Sequence, residues 1–229
     1  TTSRRRTSTD RVISRAFEAV VFDFGGVLIT SINNQVGDVA AAHGVDIPTM
    51  HRVLLGPRVS GADHPWHRAE RGELAISEIQ AALHPWAAAD GIELQGNEIE
   101  RLLAPGAYTV VTSMQEHIAR LRSEGWQTAL LTNTFAEFRP TMERDIDFDL
   151  FDEVVESFAV GARKPEPAIY EATADRLGIS HERIVYLDDF EQNLAPAETL
   201  GWTTILVGDH DAALAELDAT IGRSGYDPK

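Results

Sequence analysis

Four short stretches carry side chains suited to phosphoryl or metal chemistry. The run VVFDFGGVL places Asp23 near the end of an apolar segment, just before Gly25-Gly26. TALLTNTF contains Thr132 and Asn133, VGARKPEPAIY contains Lys164 before Pro165, and YLDDFEQNLAPAETLGWTTILV contains the pair Asp188-Asp189. Crowded carboxylates repel one another unless a cation neutralises them. Asp23, Asp188 and Asp189 brought together would therefore hold a hard divalent ion through oxygen, and Mg²⁺ suits a site completed by phosphate and water. Lys164 would set a second positive charge beside a phosphoryl group and keep Asp23 from repelling it. Thr132 and the backbone N–H groups after Asp23, at Gly25 and Gly26, would donate to phosphoryl oxygens. Asp23, desolvated and aimed by the turn, is suited to attack phosphorus and form an aspartyl-phosphate. Each residue alone has a plainer role: an Asp at a strand end caps or turns, and a Lys before Pro is usually a surface side chain. Their order along the chain joins them.

Elements around these stretches must bring them to one rim. Residues 19–24 form a nearly continuous apolar run that meets a tight turn, the pattern of a buried parallel strand. Residues from about 33 to 104 contain several helical periods and no convincing strand. Within them Ser77 with Gln80, and Asn97 with Glu100, have capping-box spacing. From Val110 onward the elements alternate. A helix capped by Ser113 and Glu116 carries Met114, Ile118 and Leu121 on one face and stops at Gly125. Strands are predicted over 128–131, 154–155, 184–187 and 203–207. Helices are predicted near 137–144, from Pro167 to Gly178, over 192–200 and over 212–221. Such alternation predicts an α/β fold, a parallel sheet with helices on both faces, and ligands beyond the carboxyl ends of its strands. The expected division is a disordered tail over 1–17, a core over 18–32 and 105–229, and an all-helical insertion over 33–104.

The bulk numbers narrow the partners. A chain of 229 residues can bury one full core with a small inserted module. The net charge of −16 disfavours nucleic acid, whose phosphates need clustered Lys and Arg. No apolar run approaches the ~20 residues of a membrane span. The chain has no cysteine, which fits a reducing cytoplasm. The first residues, TTSRRRTSTDR, are the one basic, Ser/Thr-rich stretch.

The order strand–Asp, strand–Thr, Lys-Pro, strand–Asp-Asp resembles the motif series of the haloacid dehalogenase superfamily. The pattern LDDFxxNLxPA is long and specific, and the chain is similar to the phosphatase domain at the N-terminus of soluble epoxide hydrolases. The resemblance implies a Rossmann-like core with the helical insertion as a cap that closes over the site. It implies Asp23 as nucleophile, Thr132 and Asn133 as phosphate-site donors and Lys164 as the phosphate-side cation. Asp189 and the Gly25 carbonyl would be Mg²⁺ ligands, with Asp188 beside them. The implied substrate is a phosphorylated small molecule, with lipid or isoprenoid phosphates as candidates, acted on by a monomer or homodimer.

One position departs from that family pattern. Most of the phosphatases carry a second aspartate two residues after the nucleophile, where this chain has Gly25. That aspartate protonates the leaving oxygen, help worth roughly 10²–10⁴ in rate. Two alternatives follow from its absence: a phosphate- or metal-binding relative with little turnover, and a haloacid dehalogenase, which also lacks the second aspartate. Retention of Asp188-Asp189 favours metal and phosphate. His64 and His67 are spaced like a metal pair on a helix but lack a third ligand. They and Trp86 are read as packing groups, with a substrate-facing role for one of His64, Trp66, His67, Arg68 or Arg71 as the alternative.

Overall fold

The computed structural model describes residues 16–31, 33–57, 62–104 and 106–222. The predicted N-terminal tail therefore lies outside the described residues apart from its last two positions. In chain order, β1 (Ala19–Phe22) is followed by α1 (Asn33–His43), α2 (Ile47–Leu54), α3 (Pro65–Glu70), α4 (Ile76–Ala82), α5 (His84–Ala89) and α6 (Glu98–Leu102). Then come α7 (Thr112–Ser123), β2 (Gln127–Thr132), α8 (Arg139–Asp145), β3 (Glu153–Glu156), the short α9 (Ser157–Val160) and α10 (Pro167–Leu177). The chain continues through β4 (Ile184–Asp188), α11 (Glu191–Leu200), β5 (Thr203–Leu206) and α12 (His210–Thr220). No helix among the described residues is long and apolar enough to cross a membrane.

All five strands are parallel, in the order β3-β2-β1-β4-β5. Side chains alternate across a strand, and here both faces are apolar because helices cover both. Val20, Phe22, Leu130, Val185 and Leu187 pack on one side against Met114, Ile118 and Leu121 of α7 and Leu214 and Leu217 of α12. Val21, Ala129, Leu131 and Tyr186 pack on the other against Ile169, Tyr170 and Leu177 of α10 and Leu194 of α11. Each fully buried Val, Leu, Ile or Phe contributes about 1.5–3 kcal/mol. The central strand sets the geometry of the site. Phe22 is level with Leu130 on one side and Leu187 on the other, so Asp23 and Asp188 leave the sheet side by side, about 4.8 Å apart in strand spacing.

Helices α1 to α6 form a third apolar cluster, in which Val39, Met50, Leu54, Trp66, Ile79, Leu83 and Leu102 meet Phe135 from the sheet side. Two connecting segments lead to and from this insertion. They pair antiparallel at Ile29 and Val110, with Thr30 N–H donating to the Thr109 carbonyl at 2.9 Å and Val111 N–H to that of Leu28 at 2.9 Å.

The predicted capping boxes are corrected here. Helix α4 begins at Ile76, and Glu78 reaches back to the Ala75 N–H at 3.1 Å; Gln80 instead donates to Glu98 and accepts from Ile99 N–H. Asn97 gives no side-chain cap to α6; the Ile99 N–H it could have taken donates to Gln80, and Glu98 takes the N–H groups of Gln95 and Gly96. Helix α7 begins one residue before Ser113 and has no side-chain cap. In each case a tertiary partner or an earlier start displaced a pairing that spacing alone allowed.

Candidate active site

Asp23, Thr132 and Asp188 emerge at the same edge of the sheet, and the loop after α9 delivers Lys164 to them. The Lys164 ammonium lies 2.7 Å from Asp23 Oδ1 and 2.7 Å from Asp188 Oδ2, and it is almost fully buried. Asp188 is held by more than Lys164. It accepts from the Tyr186 hydroxyl, from Phe190 N–H at 2.8 Å, and from Asn193 Nδ2 at 3.0 and 3.1 Å. Oxygens of Asp23, Asp188 and Asp189 can all lie within 4.8 Å of one another. The Asn133 amide engages the Lys164 backbone at both ends, donating to its carbonyl at 3.0 Å and accepting from its N–H at 2.8 Å. Thr132 is buried and lines the same cavity.

Burial raises the Asp23 carboxyl well above its ordinary range. Lys164 opposes that shift, while the charges of Asp188 and Asp189 add to it. Burial acts to lower the Lys164 ammonium, but Asp188 and Asp23 outweigh it and hold it above its usual value. The floor thus contains one fixed cation and a buried carboxyl whose charged form gains from further positive charge.

Two glycines, Gly25 and Gly26, lie just beyond Asp23 and differ in what surrounds them. Gly26 has φ +79°, and a Cβ there would lie 2.2 Å from Asp189 Oδ2, so the Asp189 side chain packs where only glycine leaves room. Its carbonyl accepts from His210 Nε2 at 3.1 Å, at the start of α12. At Gly25 a Cβ would meet nothing within 4 Å. The position of the missing aspartate is open space beside the cavity.

The cavity, of about 200 Å³, joins this floor to the insertion. Its walls include Phe24, Leu55, Trp66, Leu102, Phe135 and Phe138. Arg163 crosses the seam: its Nε donates to Glu70 Oε2 of α3 at 2.5 Å, and Trp66 Nε1 donates to Glu70 Oε1 at 2.9 Å. Arg71 reaches Glu166 at 3.3 Å beside them. His64 packs as expected, fully buried, donating from Nε2 to the Val53 carbonyl and accepting Trp66 N–H on Nδ1. Trp86 packs edge-on against it, with ring centroids 4.5 Å apart. His67 lines the cavity.

A family profile for haloacid dehalogenase-like hydrolases matches residues 17–201, which takes in every site residue just described except His210. The chain belongs to that family. It is 30% identical over 218 residues to acyl-CoA dehydrogenase family member 10 of Mus musculus, covering 91% of this chain and 19% of that protein. It is 37% identical over 123 residues to bifunctional epoxide hydrolase 2 of Rattus norvegicus, 51% of this chain and 22% of that protein. The chain thus spans about a fifth of these relatives. A sesquiterpene phosphatase of Aspergillus oryzae is 25% identical over 207 residues, 90% of this chain and 97% of that one. Among solved structures, a family enzyme of Bacteroides thetaiotaomicron in complex with magnesium and inorganic phosphate superposes with a TM-score of 0.61. It is 19% identical and covers 84% of this chain and 96% of its own.

All the residues singled out from the motifs are brought to this one rim. Sequence reasoning missed Tyr186, Asn193, Arg163 and His210. Tyr186 is two residues before Asp188 and so shares its face of β4. Asn193 stands in the first turn of α11, five residues beyond Asp188, and those two spacings were the available signals.

Proposed function

We propose that this chain is a Mg²⁺-dependent phosphatase that transfers a phosphoryl group from an ester to Asp23 and then to water. The observation that carries this reading is the buried Asp23 carboxylate, 2.7 Å from Lys164, in a cluster with Asp188 and Asp189. Three carboxylates against one ammonium leave excess negative charge in a desolvated place, and a hard divalent cation fits that donor set. Asp23, Asp189 and the Gly25 carbonyl would hold it, with Asp188 already committed to Lys164, Tyr186 and Asn193. When bound it would neutralise the nucleophile and the phosphoryl oxygens. An Asp23 oxygen then forms its bond to phosphorus while the bridging P–O bond breaks and its electron pair departs on the leaving oxygen. Water attacks the aspartyl-phosphate, releases inorganic phosphate and restores Asp23. Lys164 offsets charge on the phosphoryl group throughout, and Thr132 and the Gly25 and Gly26 N–H groups donate to its oxygens.

Gly25 supplies no proton, so aryl, acyl and diphosphate leaving groups should outpace alkyl ones. Residues 33–104 act as a cap in this reading, and the apolar walls suit an apolar leaving group such as a lipid or isoprenoid. The relative named a sesquiterpene phosphatase supports that choice. Hydrolysis of an aryl phosphate that depends on Mg²⁺, stops with EDTA and vanishes in Asp23→Asn is the expected result; activity that persists in Asp23→Asn sinks the reading. The open space at Gly25 favours one second reading, metal-free dehalogenation, and halide release from 2-haloacids tests it directly.

A further inference from the structure

Two polar atoms on the insertion side of the cavity have no hydrogen-bond partner among the described residues although both are buried: Arg163 Nη1 and His67 Nδ1. Arg163 is 8% exposed and His67 1%, and both line the cavity that opens onto Asp23. An orphaned buried polar group costs stability, so a native fold that keeps two of them beside a cavity has a use for them.

Their chemistry is complementary. Glu70 fixes the guanidinium through Nε and is itself fixed by Trp66, so Nη1 is an oriented donor whose charge is already balanced. The other ring nitrogen of His67 faces backbone, since a Cβ at Gly56 would sit 2.9 Å from Nε2. With Nε2 carrying the proton, Nδ1 is a bare acceptor. Burial, with the nearby Arg163 and His64, keeps the ring neutral by lowering it to about 3. An oxyanion would meet the Nδ1 lone pair and a guanidinium already paired with Glu70. A hydroxyl group has what the two atoms lack, an oxygen to accept from Arg163 and a proton to give to His67.

We infer that Arg163 and His67 form a leaving-group subsite for a neutral hydroxyl, so that the preferred substrate is a phosphate ester bearing a second, free hydroxyl. The inference rests on the phosphatase reading for what occupies Asp23, and binding tests it apart from turnover. Phenylphosphonate and its 2-, 3- and 4-hydroxyphenyl forms bind without being cleaved, and calorimetry with Mg²⁺ present reads their affinities. One hydroxy isomer should bind wild type at least about tenfold more tightly than phenylphosphonate, as a site built around a substrate hydroxyl discriminates against its absence. That ratio should fall below about twofold in His67→Leu, which removes the acceptor, and in Arg163→Lys, which keeps a cation for Glu70 but removes Nη1. Equal affinities for all four probes in wild type, with the two atoms bridged by water alone, would overturn the inference. So would an advantage that survives in both variants. Should the phosphonates show the ratio while phenyl phosphate is not hydrolysed, the subsite stands and the phosphatase reading falls.

Discussion

The two halves of the cavity solve opposite electrostatic problems. On the floor, charged groups are packed together: one ammonium serves two carboxylates, and Asp188 alone receives hydrogen bonds from four residues. On the insertion side, the titratable groups are held neutral or balanced, with His64 and His67 buried uncharged and Arg163 matched by Glu70. A floor of fixed charges favours a reaction in which charge moves. A neutral, apolar roof excludes water and reads shape. In the proposed phosphatase, chemistry would belong to the sheet edge and selectivity to the helices.

Lys164→Met attacks the floor and should give the largest effect. It leaves Asp23 and Asp188 buried without their counter-charge, a loss of about 3–5 kcal/mol for a broken buried pair. Turnover of an aryl phosphate should fall by at least about 10³-fold, since in the proposed reaction the side chain would both orient Asp23 and offset phosphoryl charge. Denaturant melts and phosphate release measure both. A stable, active variant would mean that the floor is not held by charge.

The roof should respond to acid. His64 is lowered to about 4 and His67 to about 3, burial being the first cause for each, against 6.5 for an ordinary histidine. The unfolded chain therefore binds protons first as pH falls, and stability present above pH 6.5 is lost between 6.5 and about 3. Each tenfold difference in proton affinity is worth about 1.4 kcal/mol, so the loss should reach at least about 3 kcal/mol. Carboxylates also titrate there, so the informative quantity is the difference between chains: His64→Leu should lose less stability than wild type from pH 6.5 to 4. Parallel curves would remove the neutral roof from the comparison.

Gly25→Asp tests the gap between the halves. A Cβ at this position meets nothing within 4 Å, so the backbone there admits a side chain. If its lack limits turnover, alkyl phosphates should gain about tenfold or more and aryl phosphates much less. Equal gains would locate the proton transfer in another group or in water.

The floor was legible in the sequence because each of its groups sits at a strand end or beside a proline, where a parallel sheet must present it. The α/β alternation was legible for the same reason. The roof was not. Arg163 meets Glu70 across 93 positions, and nothing in either local pattern foretells the pair. His67 was visible by spacing to His64, but its neutrality comes from burial and from Arg163, which spacing does not carry. Misread capping boxes share this cause, since Gln80 is claimed by Glu98 from another helix.

His210 shows how small a remote contribution can be and still be measured. It lies 184 positions from Gly26 yet donates to that carbonyl at 3.1 Å, so Nε2 must carry the proton. Gly26 in turn packs under Asp189, which ties α12 to the turn that carries both Asp23 and the Gly25 carbonyl. A single neutral hydrogen bond is worth about 0.5–1.5 kcal/mol. His210→Ala should accordingly raise the Mg²⁺ concentration for half-maximal activity by about two- to tenfold, with kcat at saturating Mg²⁺ changing less. Gln at this position can still donate and should recover part of the loss. A fall in kcat with no change in Mg²⁺ requirement would place His210 in the chemistry of the floor rather than in the support of its turn.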